Sequence, residues 1–367
     1  MRAIFAGVSS ARYTVCACLI RKNRSHAKYD IDPSASATMI IPTIQPDEWL
    51  EGYRGRLSRL SDISTRFGVE PALRNVIAHG PDNGSGTLSF IGLISMALEM
   101  PISDIVLRHT LWPANFAVDR TSDHNAIARQ AADNNGKLVF SSPMRRQIWL
   151  CSRCVEDDLN QLHFSYWRRS HQLPGQLFCR DHGHELHFVP RTNHLVRLPQ
   201  EHLGAAAASS TELLEHVRRS AHVTRAVQIY SAILEGQFKP QRGHCAAVLS
   251  RRAESLGMTA NAAGRFPEVK DLVEQHIPNT WLKDATPRVT SLLNPLGFVD
   301  NVFDTSMVGL SGVSIAVVAA LLYDDANVAL KALGADLPSK KRHIAPKATS
   351  LPQLARSTPV TALPVMT

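Results

Sequence analysis

Four residues constrain this chain more than any others: Cys151, Cys154, Cys179 and His182, which read C-S-R-C, an interval of twenty-four residues, then C-R-D-H. Each short turn offers two donors to one ion, and the second pair closes a tetrahedron. Four protein ligands leave no open coordination position. The expectation is therefore a single structural zinc, Zn2+, holding together a segment too small to fold on a core of its own. Cysteine is scarce, six in 367 residues, and three of the six fall in this pattern. His184 and His187 lie two and five residues beyond His182 and compete with it for the fourth position. Cys16 and Cys18 have no second pair nearby, and Cys245 sits in an apolar helical stretch where packing is the simplest role. No disulfide framework is visible, which places the chain in a reducing cytoplasm.

The formal net charge is +8, and its distribution matters more than its size. Residues 1–38 carry a net +4 and residues 337–367 a net +5 with no acid, leaving 39–336 at −1. DNA contact must then come from local patches rather than a global field. Residues 144–197 hold eight arginines, no lysine and five acids. Arginine without lysine suits forked contacts to phosphate or base edges. A solvated arginine-rich face is the competing reading. Within this stretch Tyr166, Trp167, Arg168 and Arg169 are the candidate nucleic-acid or partner contacts, unless Tyr166 and Trp167 are the core of the zinc segment itself.

Along the chain, 1–38 shows no sustained period and reads as a flexible extension or a mis-assigned start ahead of Met39. A helical N-terminal domain over 39–140 opens near Pro46, with Asp47 and Glu48 in a first turn. Trp49, Leu50, Tyr53, Leu57 and Leu60 share one face, and Arg54, Arg56 and Arg59 the other. Helices at 88–98 and 103–108, separated by Met100-Pro101-Ile102, form a helix-turn-helix candidate in which Ser103 or Asp104 caps the second helix. The zinc segment occupies 141–200, with short strands expected at 164–167 and 176–178 as a hairpin that delivers Cys179. The helical C-terminal domain, 201–336, opens with a capping box, Ser209 with Glu212. One long helix then runs toward Gly236, and others cover 244–257, 266–276 and 312–333, the last closed by Gly334. The tail, 337–367, is basic, Pro- and Ser-rich, and expected to be disordered. The fold class is mainly α with a small zinc-bound β-hairpin. No apolar run reaches membrane-spanning length, and the start does not read as a signal peptide.

Catalytic patterns are missing: no G-x-x-x-x-G-K-[ST], no G-x-S-x-G, no H-E-x-x-H. Asp157-Asp158 and Asp324-Asp325 read as solvated faces, and His109 and His171 as structural histidines rather than general bases.

The run Phe164-Ser165-Tyr166-Trp167-Arg168-Arg169-Ser170-His171-Gln172-Leu173-Pro174-Gly175, followed by Cys179-Arg180-Asp181-His182-Gly183, resembles the zinc segment of the TniQ family. Cys151-Ser152-Arg153-Cys154-Val155-Glu156-Asp157-Asp158 resembles its first knuckle. Pro46-Asp47-Glu48-Trp49-Leu50 and Arg108-His109-Thr110-Leu111-Trp112-Pro113 resemble the opening helix and the stretch before the zinc. The resemblance covers about 42–190. It implies a non-enzymatic accessory factor of a heteromeric bacterial transposon. Such a factor selects the target by binding DNA or a CRISPR guide-RNA effector complex, and recruits an AAA+ regulator and transposase. Homodimerisation stays open. Two departures stand out. Ser152 occupies a position where members often carry proline, and 184–196 lacks the second cysteine pair of many members. A zinc-containing transcriptional regulator is the alternative, and a zinc-dependent enzyme with one ligand swung away is a third reading.

Overall fold

The computed structural model describes residues 11–14, 17–22, 29–35, 38–63, 68–78, 88–115, 145, 147–190, 194–236, 242–286, 296–304 and 311–334. The expectation for 337–367 lies outside these residues. Among them are fourteen α-helices and a small three-stranded sheet.

The first described residues are extended backbone. Strand β1 (Ala11–Thr14) pairs antiparallel with β4 (Thr38–Ile41), and β2 (Ala17–Lys22) pairs with β3 (Tyr29–Ala35). This differs from the aperiodic reading of 1–38. The signal was the alternation Tyr29-Asp30-Ile31-Asp32, too short to stand out. β4 ends on buried Ile41, and helix α1 (Leu50–Leu60) follows.

Helices α2 (Val69–Ala78), α3 (Phe90–Leu98), α4 (Ile102–His109) and the short α5 (Trp112–Asn115) complete the N-terminal helical region. Their shared core holds Tyr53, Leu57, Leu73, Ile91, Leu93, Ile94 and Ile105. Ser89 caps α3 by accepting from the Gly92 amide. Pro101, not Ser103 or Asp104, is the N-cap of α4. Glu99, in left-handed conformation, helps turn the chain, so that α3 and α4 meet at 104°. That angle lies within the helix-turn-helix range. On α4, however, Ile105, Val106 and His109 are buried, and Arg108 is the exposed base.

The sheet is not the expected hairpin. β5 (Gln147–Leu150) pairs antiparallel with β6 (His187–Pro190), and β6 with β7 (Ala207–Ala208). The strands bracket the cysteine segment instead of lying inside it. Residues 164–167 form a loop because their neighbour, 168, bridges to Glu48, far away in sequence. Helix α6 (Ser152–Leu162) fills the space after β5.

The C-terminal region is apolar at its centre. The expected capping box uses Ser210, whose hydroxyl accepts from the Leu213 amide, rather than Ser209. The expected long helix is two, α7 (Thr211–Arg219) and α8 (Ala221–Leu234), because Ser220 leaves helical geometry and caps the Val223 amide. Helices α9 (Arg242–Ser255), α10 (Pro267–His276), α11 (Asn279–Ala285) and α12 (Gly297–Phe303) surround α13 (Gly312–Leu322). Helix α13 is apolar all round and buried, as a central helix must be. Asp325 caps α14 (Ala326–Ala332) through the Asn327 and Val328 amides, so the expected 312–333 helix is bent by 115° there. No single helix among the described residues is long and apolar enough to cross a membrane.

Candidate metal centre

Cys151 ends β5 and stands as the N-cap of α6, while Cys154 lies in that helix's first turn. The other pair comes from a tight turn. The Gly183 amide donates to the Cys179 carbonyl at 2.8 Å, the Cys179 amide donates to the His184 carbonyl at 2.7 Å, and Gly183 takes φ 65°. This folds Cys179 and His182 back onto one point, facing the start of α6.

The four ligand atoms all lie within 4.8 Å of one another. Cys154 Sγ is 3.6 Å from Cys179 Sγ and 3.3 Å from His182 Nδ1. His182 Nδ1 stands 3.7 Å from Cys151 Sγ and 3.6 Å from Cys179 Sγ. A tetrahedron with zinc-type sulfur and nitrogen bonds has edges of about 3.5–3.8 Å. The set therefore fits, and it could hold one metal ion. Of the three histidines, His182 lies in the cluster, whereas His184 is exposed and His187 lies on β6 opposite Leu150.

Two groups behind the ligands were not read from sequence as parts of this site. Asp157 Oδ2 lies 2.9 Å from His182 Nε2, which assigns that nitrogen the proton and leaves Nδ1 free to ligate. His171 is buried with Nε2 3.7 Å from both Cys154 Sγ and Cys179 Sγ. Burial pushes its pKa down to about 4, with the Arg168 charge adding to the effect, so it stays neutral beside the sulfurs. The thiols themselves divide: hydrogen bonds from Cys154 and Cys179 pull Cys151 far down, while thiolate at Cys151 raises the other two. A cation at the centre would remove that conflict by holding all three as thiolates.

Tyr166, Trp167, Arg168 and Arg169, the candidate contacts, are each engaged with the protein itself. Trp167 is 1% exposed, and Tyr166 and Arg169 are also buried. Arg168 forks onto Asp158 at 2.7 and 2.8 Å. Arg169 reaches the Asp47 carboxylate and the Leu107 and Thr110 carbonyls. Asp158 is thus buried in the site rather than on a solvated face, while Asp157 reaches His182 with its side chain still partly exposed.

The reason is a backbone pairing that sequence spacing does not reveal. The Trp49 amide donates to the Trp167 carbonyl, and the Arg169 amide to the Asp47 carbonyl, each at 2.7 Å. Asp47 has φ 57°, and its carboxylate accepts from the Ser170 amide and hydroxyl. Glu48 is fully buried. Its carboxylate accepts from Arg56 Nε and Nη2 at 2.9 and 2.6 Å, and its carbonyl lies 2.9 Å from His109 Nδ1. Asp47 and Glu48 therefore precede α1 instead of forming its first turn, and Arg56 lies inside rather than on a solvent face. Leu60, assigned to the apolar face, is largely exposed. Gly52 and Gly55 let α1 approach: a Cβ on Gly52 would sit 2.6 Å from Trp167 Cβ, and one on Gly55 1.7 Å from the Leu195 carbonyl oxygen. The stretches 46–50, 108–113 and 166–171 thus converge on one another beside the metal cluster.

Against families of known proteins, residues 39–186 match the TniQ family. The chain carries a TniQ domain. This domain spans all three converging stretches and the whole metal cluster, and it ends where β6 begins. A search of curated proteins gives no match.

Proposed function

We propose that this protein is a target-selection factor of a heteromeric transposon. On this reading it binds DNA or a guide-RNA effector complex in the cytoplasm, recruits an AAA+ regulator and transposase, and catalyses nothing. The TniQ domain over 39–186 carries the reading, since it ties the chain to transposition. The metal cluster supports an architectural role. Three thiolates and an oriented imidazole are a donor set that favours Zn2+ over harder ions, and the four clustered donors would leave no open position on one ion. When bound, the ion would cross-link the start of α6 to the 179–183 turn. Asp157 would hold the imidazole, and His171 would shield the sulfurs from solvent.

Phosphoryl transfer on DNA needs carboxylates converging on metal ions. The acidic pair of this segment, Asp158 and Asp157, is instead committed to Arg168 and His182. The cutting and joining chemistry then falls to partner proteins. In a reconstituted transposition assay, omission of this protein scatters or abolishes insertion at the preferred site. Unchanged position and frequency would sink the reading. The 104° angle between α3 and α4 favours a second reading, a zinc-containing transcriptional regulator. It is separated from the first by occupancy at the protein's own promoter without any effect on insertion.

A further inference from the structure

A fifth nitrogen or sulfur atom stands against the metal cluster without belonging to its four ligands. His171 Nε2 lies 3.7 Å from Cys154 Sγ and 3.7 Å from Cys179 Sγ, and those sulfurs are 3.6 Å apart. The imidazole therefore sits over one edge of the tetrahedron, outside the set that closes on one point. Its place is built from both sides. His171 is 4% exposed and is the middle residue of a short 3-10 turn, Ser170–Gln172. The Ser170 amide and hydroxyl donate to the Asp47 carboxylate at 3.1 and 2.6 Å. The Gln172 side chain accepts from the Trp149 amide at 3.0 Å and donates to the Trp149 carbonyl at 2.8 Å. With each neighbour pinned to a different part of the chain, the ring has little freedom to leave the sulfurs.

Where the ring carries its proton follows from what it faces. A thiolate holding a metal has no proton and only accepts. A bare Nε2 would set its lone pair against two anionic sulfurs, whereas Nε2–H serves both as one shared donor. The sulfurs need such donors, because three thiolates outweigh one divalent ion by one negative charge and all three are buried. The main chain supplies two: the Cys154 amide serves Cys151, and the His182 amide serves Cys179. We propose that His171, as its Nε2–H tautomer, is a positioning residue that bridges the Cys154 and Cys179 thiolates and sets how tightly the site keeps its metal. This goes beyond shielding. An apolar side chain of similar size would exclude water equally well but would bring no proton to the sulfurs. The inference rests on the zinc reading of the cluster and is independent of target selection.

The test has two arms, both on the full chain. Zinc affinity is measured by competition with a chelator, after elemental analysis has fixed the metal content. His171→Leu lowers the affinity about 10–100-fold, the usual cost of losing a partner behind a metal ligand. His171→Gln, whose amide N–H reaches the same place, stays within about threefold of the parent. The second arm is nitrogen-15 NMR of the parent loaded with cadmium-113. The His171 ring shows the Nε2–H tautomer, and that proton couples to the metal through the hydrogen bond. The proposal is overturned if His171→Leu binds zinc as the parent does, or if His171→Gln is as weak as His171→Leu. It is equally overturned if the metal-loaded parent carries the proton on Nδ1, a measurement that needs no variant to fold. A chain that takes up no metal overturns the zinc reading along with the proposal. One zinc held equally by the parent and by His171→Leu overturns the proposal alone.

Discussion

Residues 147–190 add a dense set of polar contacts to their apolar core, whereas α8 and α13 pack through apolar side chains with one hydrogen bond, from Arg225 to the Ala320 carbonyl, between them. In the first region three thiols, two imidazoles, Asp157, Asp158 and the arginines meet atom to atom. In the second, Ile229, Ile233, Ile315, Val317 and Val318 fill volume with no polar side-chain partner. The clasped region depends on particular atoms at particular distances, so single changes act through chemistry. The helical core depends on shape and area, so single changes act through cavities and leave its neighbours in place. The two regions share one apolar cluster, and Gly175 adds a polar link to the neighbouring α11. Its amide donates to Asp284 and its carbonyl accepts from Trp281 Nε1 at 2.8 Å, both partners being on α11.

Removing the metal should separate the regions most sharply. Elemental analysis is expected to find about one zinc per chain. Chelation or Cys154→Ser removes local folding free energy on the order of 10 kcal/mol. Hydrogen exchange should then rise across 147–190 while α13 amides stay protected. Equal protection of both regions before and after chelation would break the contrast.

Arg169→Ala comes next, at roughly 3–5 kcal/mol, since it strips the cation from Asp47 and a donor from the Leu107 carbonyl. Lysine at 169 should not rescue it, because one ammonium cannot reproduce the fork. Denaturant melts report the loss, and the salt slope of DNA binding stays as in the parent. A changed slope at normal stability would return Arg169 to the contact surface.

Ile315→Ala tests the other side. A buried isoleucine in α13 cut to alanine costs about 2–5 kcal/mol. Metal content should not change. Loss of metal in this variant would show that the two regions are one cooperative unit. Gly52→Ala is smaller. Alanine gains up to about 1 kcal/mol of helix propensity, but its Cβ would sit 2.6 Å from Trp167 Cβ, and overpacking costs about 1–3 kcal/mol. A net loss in melting temperature is the expected sign, and a gain would mean that Trp167 yields freely.

The smallest effect is a pH slope. Burial lowers the His109 pKa below its ordinary value, while the Glu48 carbonyl opposes that shift. The unfolded chain then binds the proton more readily. Stability from this group is present above the unfolded pKa near 6.5 and falls as pH drops through it. His109→Asn keeps a donor for the Glu48 carbonyl and should flatten that part of the stability curve. An unchanged slope would assign it to other groups.

Local information in the sequence was enough to single out the four side chains that cluster. Cys151 with Cys154, and Cys179 with His182, each sit within one turn, so spacing alone brings their donor atoms together. The helical character of the chain was legible for the same reason, since period and caps act over a few residues. Tertiary structure decided what faces what. For Tyr166, Trp167, Arg168 and Arg169 the sequence left a contact surface and a core role both open, because aromatic and basic residues carry no mark of the segment that packs against them. That segment is 47–49, more than a hundred residues earlier, joined through main-chain hydrogen bonds that any side chains permit. Arg56 was assigned to the polar face for want of the same knowledge, since its charge is balanced by Glu48. Ser220 and Asp325 broke two expected helices because a Ser or Asp can cap a helix or ride within it, and the choice falls to whichever arrangement buries more of the apolar surface around α13.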